Sequence, residues 1–374
     1  MYLTSATLAP YLIARDTLDP ANLIAGSFHV QEAGRRNRNF KIFTGDGSGV
    51  FLKQAPSQTA EVQATLQREA MFHQLVATRA AFRPLAGLGY EMLDYDARRG
   101  VLTLELASLG RSLNEFFGQA GPDHVEIGRL LALHVHTLHE SAPGILADHQ
   151  ATRHFPHRHP WILHIPRHAE AIMPSVAGGQ TEVIATIRQT PALVQMLDIV
   201  AAEWCFNALS HGDMKWDNII INGDGGTEPF DVRIVDWELA DIGDAGWDVG
   251  CVIAGYLQRL ILTQAGAAQM PGISLFAAPQ GNLPAEIEAA RKGLLAFWST
   301  YSEGFGLQIG TQSDLARRRA MRFAAVRLLL SAFEVAGGMP ASAAPIAQLI
   351  AAATAIARDP DQAALNALTD PTRH

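Results

Sequence analysis

The feature that most constrains this 374-residue chain is a pair of polar loops placed around a short apolar hairpin. The first loop is His211-Gly212-Asp213-Met214-Lys215-Trp216-Asp217-Asn218, and it runs directly into Ile219-Ile220-Ile221. A second apolar stretch, Ile234-Val235, ends on Asp236 and continues as Trp237-Glu238. Short runs of branched aliphatic residues read as buried strands. Asp213, Asn218 and Asp236 therefore sit at strand ends, with Asn218 five positions after Asp213. A carboxamide and a carboxylate offer oxygen donors to a hard cation such as Mg²⁺. The other carboxylate is left to receive a proton.

Composition narrows the setting. The chain is 48% hydrophobic and 18% charged, which describes a packed protein and excludes a disordered one. Its net charge of −8 argues against general nucleic-acid binding, which depends on Lys and Arg neutralising phosphates. The two cysteines, Cys205 and Cys251, stand apart in apolar segments and read as core thiols of a reducing compartment. No basic region precedes the apolar stretch at Leu8, so a signal peptide is not expected. No apolar run reaches the ~18–20 residues of a membrane span. The expectation is a soluble, cytoplasmic protein without nucleic-acid or membrane partners.

Upstream of the loops, residues 7–16 read as a short helix. Phe28-His29-Val30, Asn39–Phe43 and Val50–Lys53 read as strands, with the glycines of 45–49 making a tight turn. Gly34-Arg35-Arg36-Asn37-Arg38 lies between the first two strands. Gly34 and Asn37 there suit a loop that covers phosphates with backbone N–H groups, and a solvated basic hairpin tip fits the same residues. Residues 58–78 carry a helical apolar face through Val62, Leu66, Met71, Phe72 and Leu75. Glu69 on this helix follows the strand-end Lys53 by sixteen residues. Leu88–Tyr95 and Val101–Leu106 complete five strands. Glu105 and Ala107 then fall in a link whose backbone can read an adenine edge, before Ser112–Phe117 opens a helix.

Val125–His139 is an apolar helix whose His134, His136 and His139 lack the i, i+4 spacing of a helical zinc site. Residues 149–168 hold six of the fourteen histidines together with Arg153, Arg158 and Arg167. Three readings stay open for this segment: a metal site, an acceptor-facing wall, and a solvated irregular loop. Residues 182–208 read as helical with a break at Pro191. His211 reads as a packing residue. Asp248 reads as a helix N-cap or as a brace for the loop backbone. Residues 284–305, 312–336 and 341–357 read as helices, with Arg317, Arg318, Arg319 and Arg322 on a solvated face.

Together, His211–Asn218, Val235-Asp-Trp-Glu-Leu-Ala and Gly243-Asp-Ala-Gly-Trp-Asp248 resemble the aminoglycoside phosphotransferase/choline kinase family, a branch of the protein-kinase-like fold. Gly34–Phe40 resembles that family's first hairpin and Ile127–His134 its long helix, so the resemblance spans roughly residues 25–260. It implies an α+β, two-lobed fold: a five-stranded antiparallel N-terminal lobe over 1–106, with a short and a long helix, and a mainly helical lobe over 107–374. It implies an ATP- and Mg²⁺-dependent kinase with a hydroxyl acceptor. In it Asp213 is the catalytic carboxylate, Asn218 and Asp236 hold Mg²⁺, and Lys53 with Glu69 clamps ATP. Lys215 stands where many aminoglycoside kinases have His, and a Lys there can reach the γ-phosphate. Because site residues and not folds define substrates, two further readings stand beside a small-molecule kinase. One is a kinase for Ser/Thr of a precursor peptide, which would need a partner lyase. The other is a non-catalytic scaffold. A cationic wall over 149–168, with His157 and His159, would disfavour aminoglycosides.

Overall fold

Strand alternation decides where the first lobe places its lysine. The computed structural model describes residues 2–24, 26, 28–33, 38–44, 49–57, 59–106, 110–117, 123–172, 176, 178–265, 285–307 and 311–369. Strands β1 (His29–Glu32), β2 (Arg38–Phe43), β3 (Gly49–Gln54), β4 (Met92–Asp96) and β5 (Val101–Glu105) form one antiparallel sheet in the order β1-β2-β3-β5-β4. Val50 and Leu52 of β3 pack with Phe40 and Ile42 against Leu8 and Leu12 of the helix Ser5–Ala14. Successive side chains on a strand face opposite ways. Lys53 therefore points to the other face, where Leu66 and Ala70 of the helix Ala60–Thr78 cover Leu102 and Leu104. The lobe is a sheet held between two helices.

The rest of the chain is mainly helical around one large core. Its small strands are β6 (Arg111–Ser112), β7 (Ala208–Ser210), β8 (Ile219–Asn222), β9 (Asp231–Ile234) and β10 (Asp241–Gly243). β6, β8 and β9 make one antiparallel sheet, and β10 pairs with β7. The helix His124–Glu140 crosses the helix Ala285–Gly304 so closely that a Cβ on Gly128 would lie 2.3 Å from the Gly293 carbonyl oxygen. Among the described residues, no helix is long and apolar enough to cross a membrane.

Several sequence expectations need correction. The fourth strand starts at Met92 and not at Leu88, because the Leu88 carbonyl accepts the Ile234 N–H at 2.6 Å and is drawn under the hairpin. The stretch 182–208 has its expected break at Pro191, between the helices Gly179–Gln189 and Pro191–Ala202, but it leaves the helix at Ala202 and ends in β7. Pro191 fits the first turn of the second helix, where no N–H is needed. A fourth C-terminal helix, Pro360–Leu368, was not anticipated; Asp359 caps it by accepting the Gln362 N–H at 2.9 Å. Cys251 is buried, but Cys205 is exposed in the link that follows Ala202. The arginines of the helix Thr311–Ala336 are engaged: Arg317 with Asp314, Arg318 with Asp361, Arg319 with Asp244, and Arg322 with Glu203. Their helix lies against the body of the lobe, not on a free face.

Candidate active site

The chain between β7 and β10 builds the site. Gly212 has φ +82°, and a Cβ there would sit 2.4 Å from the Leu239 carbonyl oxygen, so the loop can turn tightly only on glycine. Asp248 lies inside the helix Ala245–Ala265 and is fully buried. Its carboxylate accepts the backbone N–H groups of His211 at 2.8 Å and Gly212 at 3.1 Å, and the Ser210 hydroxyl at 3.0 Å. It thus braces the loop. The N-cap role belongs to Asp244, which accepts the Gly246 N–H at 2.9 Å. Desolvation opposes the Asp248 charge, but His139 and the loop donors outweigh it and hold its pKa below the usual carboxylate range.

His211 is buried beneath this loop, as a packing residue should be. Its Nδ1 accepts the Asp213 N–H at 3.3 Å, which leaves Nε2–H to donate to the Val235 carbonyl at 3.0 Å. The ring meets Trp237 edge-on at 4.6 Å. Both polar loops are tied through one histidine.

Asp213 and Lys215 face each other, with Lys215 Nζ 2.5 Å from Asp213 Oδ2. Desolvation works against the Lys215 ammonium, and the Asp213 charge overcomes it, so its pKa is raised. Asn218 donates from Nδ2 to the Asp213 carbonyl at 2.9 Å and to Oδ2 at 3.3 Å. With the amide nitrogen so occupied, the Asn218 carbonyl oxygen is the atom left for a cation. Asp236 takes the left-handed conformation, φ 71° and ψ 56°, which Asp tolerates better than most residues and which costs energy all the same.

Lys53 joins the two lobes. Its Nζ stands 2.7 and 2.8 Å from the two Glu69 oxygens and 2.6 Å from Asp236 Oδ1. Lys53 and Glu69 are buried, so their charges survive only because they are paired. Burial opposes the Lys53 charge, but the two carboxylates hold its pKa above the ordinary value. Burial lifts Glu69, since one ammonium shared between two acids cannot fully offset the desolvation. Desolvation also acts on Asp236, yet Lys53 prevails there and keeps it low.

These groups line one cleft of about 1450 Å³, larger than a typical small-ligand pocket of roughly 300–1,000 Å³ and roomy enough for two substrates. Lys53, Glu105, Asp213, Lys215, Asn218 and Asp236 all border it. Glu69 stands behind Lys53. The Glu105 N–H is committed to the Glu91 carbonyl at 2.9 Å, so a base edge would have to meet its carbonyl. Gly34, Asn37 and Ala107 lie outside the described residues. Arg158 and His159 of the His/Arg-rich segment border the cleft and His157 does not; Asp241 accepts the N–H groups of both His157, at 2.6 Å, and Arg158, at 3.0 Å. Among the described residues, no three His, Cys, Asp or Glu side chains converge as a metal cluster, so the metal reading of 149–168 loses its support. Sequence reasoning missed Arg327, buried and 3.6 Å from Asp213 Oδ1, and Arg68 on the cleft face of the Glu69 helix. Neither belongs to a local motif.

An antiparallel five-stranded lobe, a mainly helical lobe and a polar cleft containing both loops define the protein-kinase-like fold. The chain belongs to the phosphotransferase enzyme family, whose pattern matches residues 29–275. It is similar in structure to an ethanolamine kinase from Plasmodium vivax, with a TM-score of 0.52 and 11% identity over 94% of this chain and 88% of that one. It is also similar to aminoglycoside 2'-phosphotransferase-IIIa in its GDP complex, with a TM-score of 0.50 and 13% identity over 96% and 99% of the two chains. At such identities the likeness is one of fold. No curated protein matches the sequence at a significant level.

Proposed function

We propose that this phosphotransferase moves the γ-phosphoryl group of ATP to a hydroxyl of a small molecule, with residues 1–106 as the nucleotide-covering lobe and 107–374 as the acceptor lobe. The observation that carries the reading is the joint presence, in one cleft, of the Lys53–Glu69 pair and the Asp213–Lys215 pair. Catalysis of this kind is mostly positioning and charge neutralisation.

Lys53, oriented by Glu69, holds the α- and β-phosphates. Asp213 orients the acceptor hydroxyl and takes its proton as the new O–P bond forms and the bond to ADP breaks. Lys215 balances charge on the phosphoryl group in transit. The Asn218 carbonyl oxygen and the Asp236 carboxylate are a hard-oxygen donor pair that fits Mg²⁺, whose contribution is to neutralise phosphate charge. The Glu105 carbonyl and Ala107, with Gly34 and Asn37 of the first hairpin, are proposed to meet the rest of the nucleotide.

Arg158 gives the acceptor side a cationic edge beside the imidazole of His159, and Arg68 borders the same cleft. Two carboxylates nearby are already engaged: Asp241 accepts the N–H groups of His157 and Arg158, and Glu334 pairs with Arg327. A neutral or anionic acceptor fits this edge better than a polyamine.

The test is ATP turnover with Mg²⁺ against pooled hydroxyl metabolites and Ser/Thr peptides, with Asp213→Ala as control. Positioned general-base catalysis predicts a fall in kcat of roughly 10²–10⁴ for the variant while ATP still binds. Near-wild-type turnover by Asp213→Ala would remove the assignment. Transfer to peptides alone would favour the peptide-kinase reading, and ATP binding without any transfer would favour a scaffold.

A further inference from the structure

Asp213 is held differently at its two oxygens. Oδ2 accepts from Lys215 Nζ at 2.5 Å and from Asn218 Nδ2 at 3.3 Å. Oδ1 has no hydrogen-bond partner among the described residues; Arg327 Nη2 stands 3.6 Å from it. That separation is beyond a hydrogen bond but well within Coulombic reach. Oδ1 is therefore the oxygen with a lone pair to offer an incoming hydroxyl.

Arg327 comes from the helix Thr311–Ala336, not from the catalytic loop. Its side chain is only 4% exposed, which is costly for a guanidinium without partners. Glu334, two turns further along the same helix, provides one: Nη1 and Nη2 donate to its Oε2 at 3.3 and 3.2 Å. The positions 327, 330 and 334 share one helix face. Leu330 and Glu334 border the cleft, beside Phe333, which meets Trp161 edge-on at 5.0 Å. Glu334 thus anchors the guanidinium, and Nη2, one of the two nitrogens that donate to it, is also the atom 3.6 Å from Asp213 Oδ1.

We propose that Arg327 is a positioning residue for phosphoryl transfer: it holds Asp213 Oδ1 toward the acceptor and so couples the acceptor-side helix to the base. The inference rests on the reading of Asp213 as the base. Lys215 stands at Oδ2 and Arg327 near Oδ1, so two elements remote in sequence each place a cation at one oxygen of the carboxylate. Lysine at position 327 would keep the charge but lose the planar fork that engages Glu334 and Asp213 together.

The experiment measures Mg·ATP hydrolysis, with water as the acceptor, for wild type, Asp213→Asn, Arg327→Met, Arg327→Lys and the double variant Asp213→Asn/Arg327→Met. Arg318→Met, which removes a half-buried arginine of the same helix that pairs with Asp361, is the control with unchanged kcat. ATP affinity and thermal midpoint are recorded for each protein. The expected result is a fall in kcat of about 10- to 100-fold for Arg327→Met, ATP affinity within about twofold of wild type, and partial recovery in Arg327→Lys. The double variant should be no slower than Asp213→Asn alone, because residues that act through one group are not additive. If wild-type turnover requires Asp213 but Arg327→Met leaves kcat unchanged, or adds its full loss to that of Asp213→Asn, the inference is overturned by itself. A loss matched by weaker ATP binding and a lowered thermal midpoint, with no recovery in Arg327→Lys, overturns it as well. If wild-type turnover does not require Asp213, the reading of the base falls and this inference falls with it.

Discussion

The ring of Phe72 lies nearly parallel to that of Trp237, with centroids 3.9 Å apart and planes 10° apart. Phe72 belongs to the helix that carries Glu69, and Trp237 follows Asp236 directly. The stack therefore sets how the helix of one lobe meets the polar loop of the other. Offset stacking of this kind adds roughly 0.5–1.5 kcal/mol to the area buried.

Removal of that contact should be felt twice. Phe72 is buried, so Phe72→Ala should destabilise the protein by about 3–5 kcal/mol, read from the urea midpoint. It should also lower kcat, since Glu69 and Asp236 lose their common support, while Phe72→Leu should keep most of both properties. An unchanged urea midpoint in Phe72→Ala would contradict the role given to the stack.

Lys53→Met should leave Glu69 buried without its cation. The expected cost at neutral pH is about 3–5 kcal/mol. Its pH dependence has a definite sign. Burial raises the Glu69 pKa above its unfolded value, more so without Lys53, so the native state keeps a proton that the unfolded state releases. Stability of the variant should fall as pH rises from the ordinary carboxylate range toward neutrality and beyond. Denaturation at pH 5 and pH 8 checks this: equal destabilisation at both would mean that Glu69 is not the group left uncompensated.

His73 offers the opposite sign. It is buried one turn beyond Glu69, and its Nε2 has no hydrogen-bond partner among the described residues. Burial, with a smaller effect of nearby Lys53, pushes its pKa down to about 3. The unfolded chain binds this proton near pH 6.5 and the native protein does not, so stability drops as pH falls from about 6.5 toward 3. The slope from this one group approaches about 1.4 kcal/mol per pH unit. His73→Leu should flatten the acid side of the stability curve and leave stability at pH 8 undiminished. An unaltered acid limb would exclude His73 as its source.

His159 is the histidine of the 149–168 segment to test, since it borders the cleft and His157 does not. It stacks with His164 at 5.4 Å, and burial, aided by that neighbour's charge, lowers its pKa. His159→Ala should raise acceptor KM and leave ATP affinity unchanged. The pH dependence of acceptor KM should appear on the acid side of the ordinary imidazole value of ~6.5, where the ring gains charge. Kanamycin-like substrates should give no useful turnover. Efficient aminoglycoside phosphorylation would refute this account of the acceptor side.

The two polar loops were legible because their chemistry is contiguous: Asp213, Lys215 and Asn218 occupy one turn-and-strand segment, and Asp236 ends the next strand. The direction of Lys53 was legible as well, because period-two alternation sends it opposite to Leu52. Other roles were not local. The helix at Ala245 begins after Asp244, so of the two sequence readings of Asp248, cap or brace, only packing selects the brace, turned inward to the loop amides of His211 and Gly212. The arginines at 317–322 looked solvated because a helix pattern does not say what will pack against the helix.

The chain by itself determined the pair of polar loops, and through their resemblance to a family the fold class, because strand periodicity and loop chemistry act within a few residues. Only the tertiary structure decided that one ammonium is shared by Glu69 and Asp236, that Phe72 locks onto Trp237, and that Arg327 reaches Asp213. Those contacts join segments distant along the chain. Their geometry follows from how whole helices and sheets pack, and no spacing within a short motif encodes it.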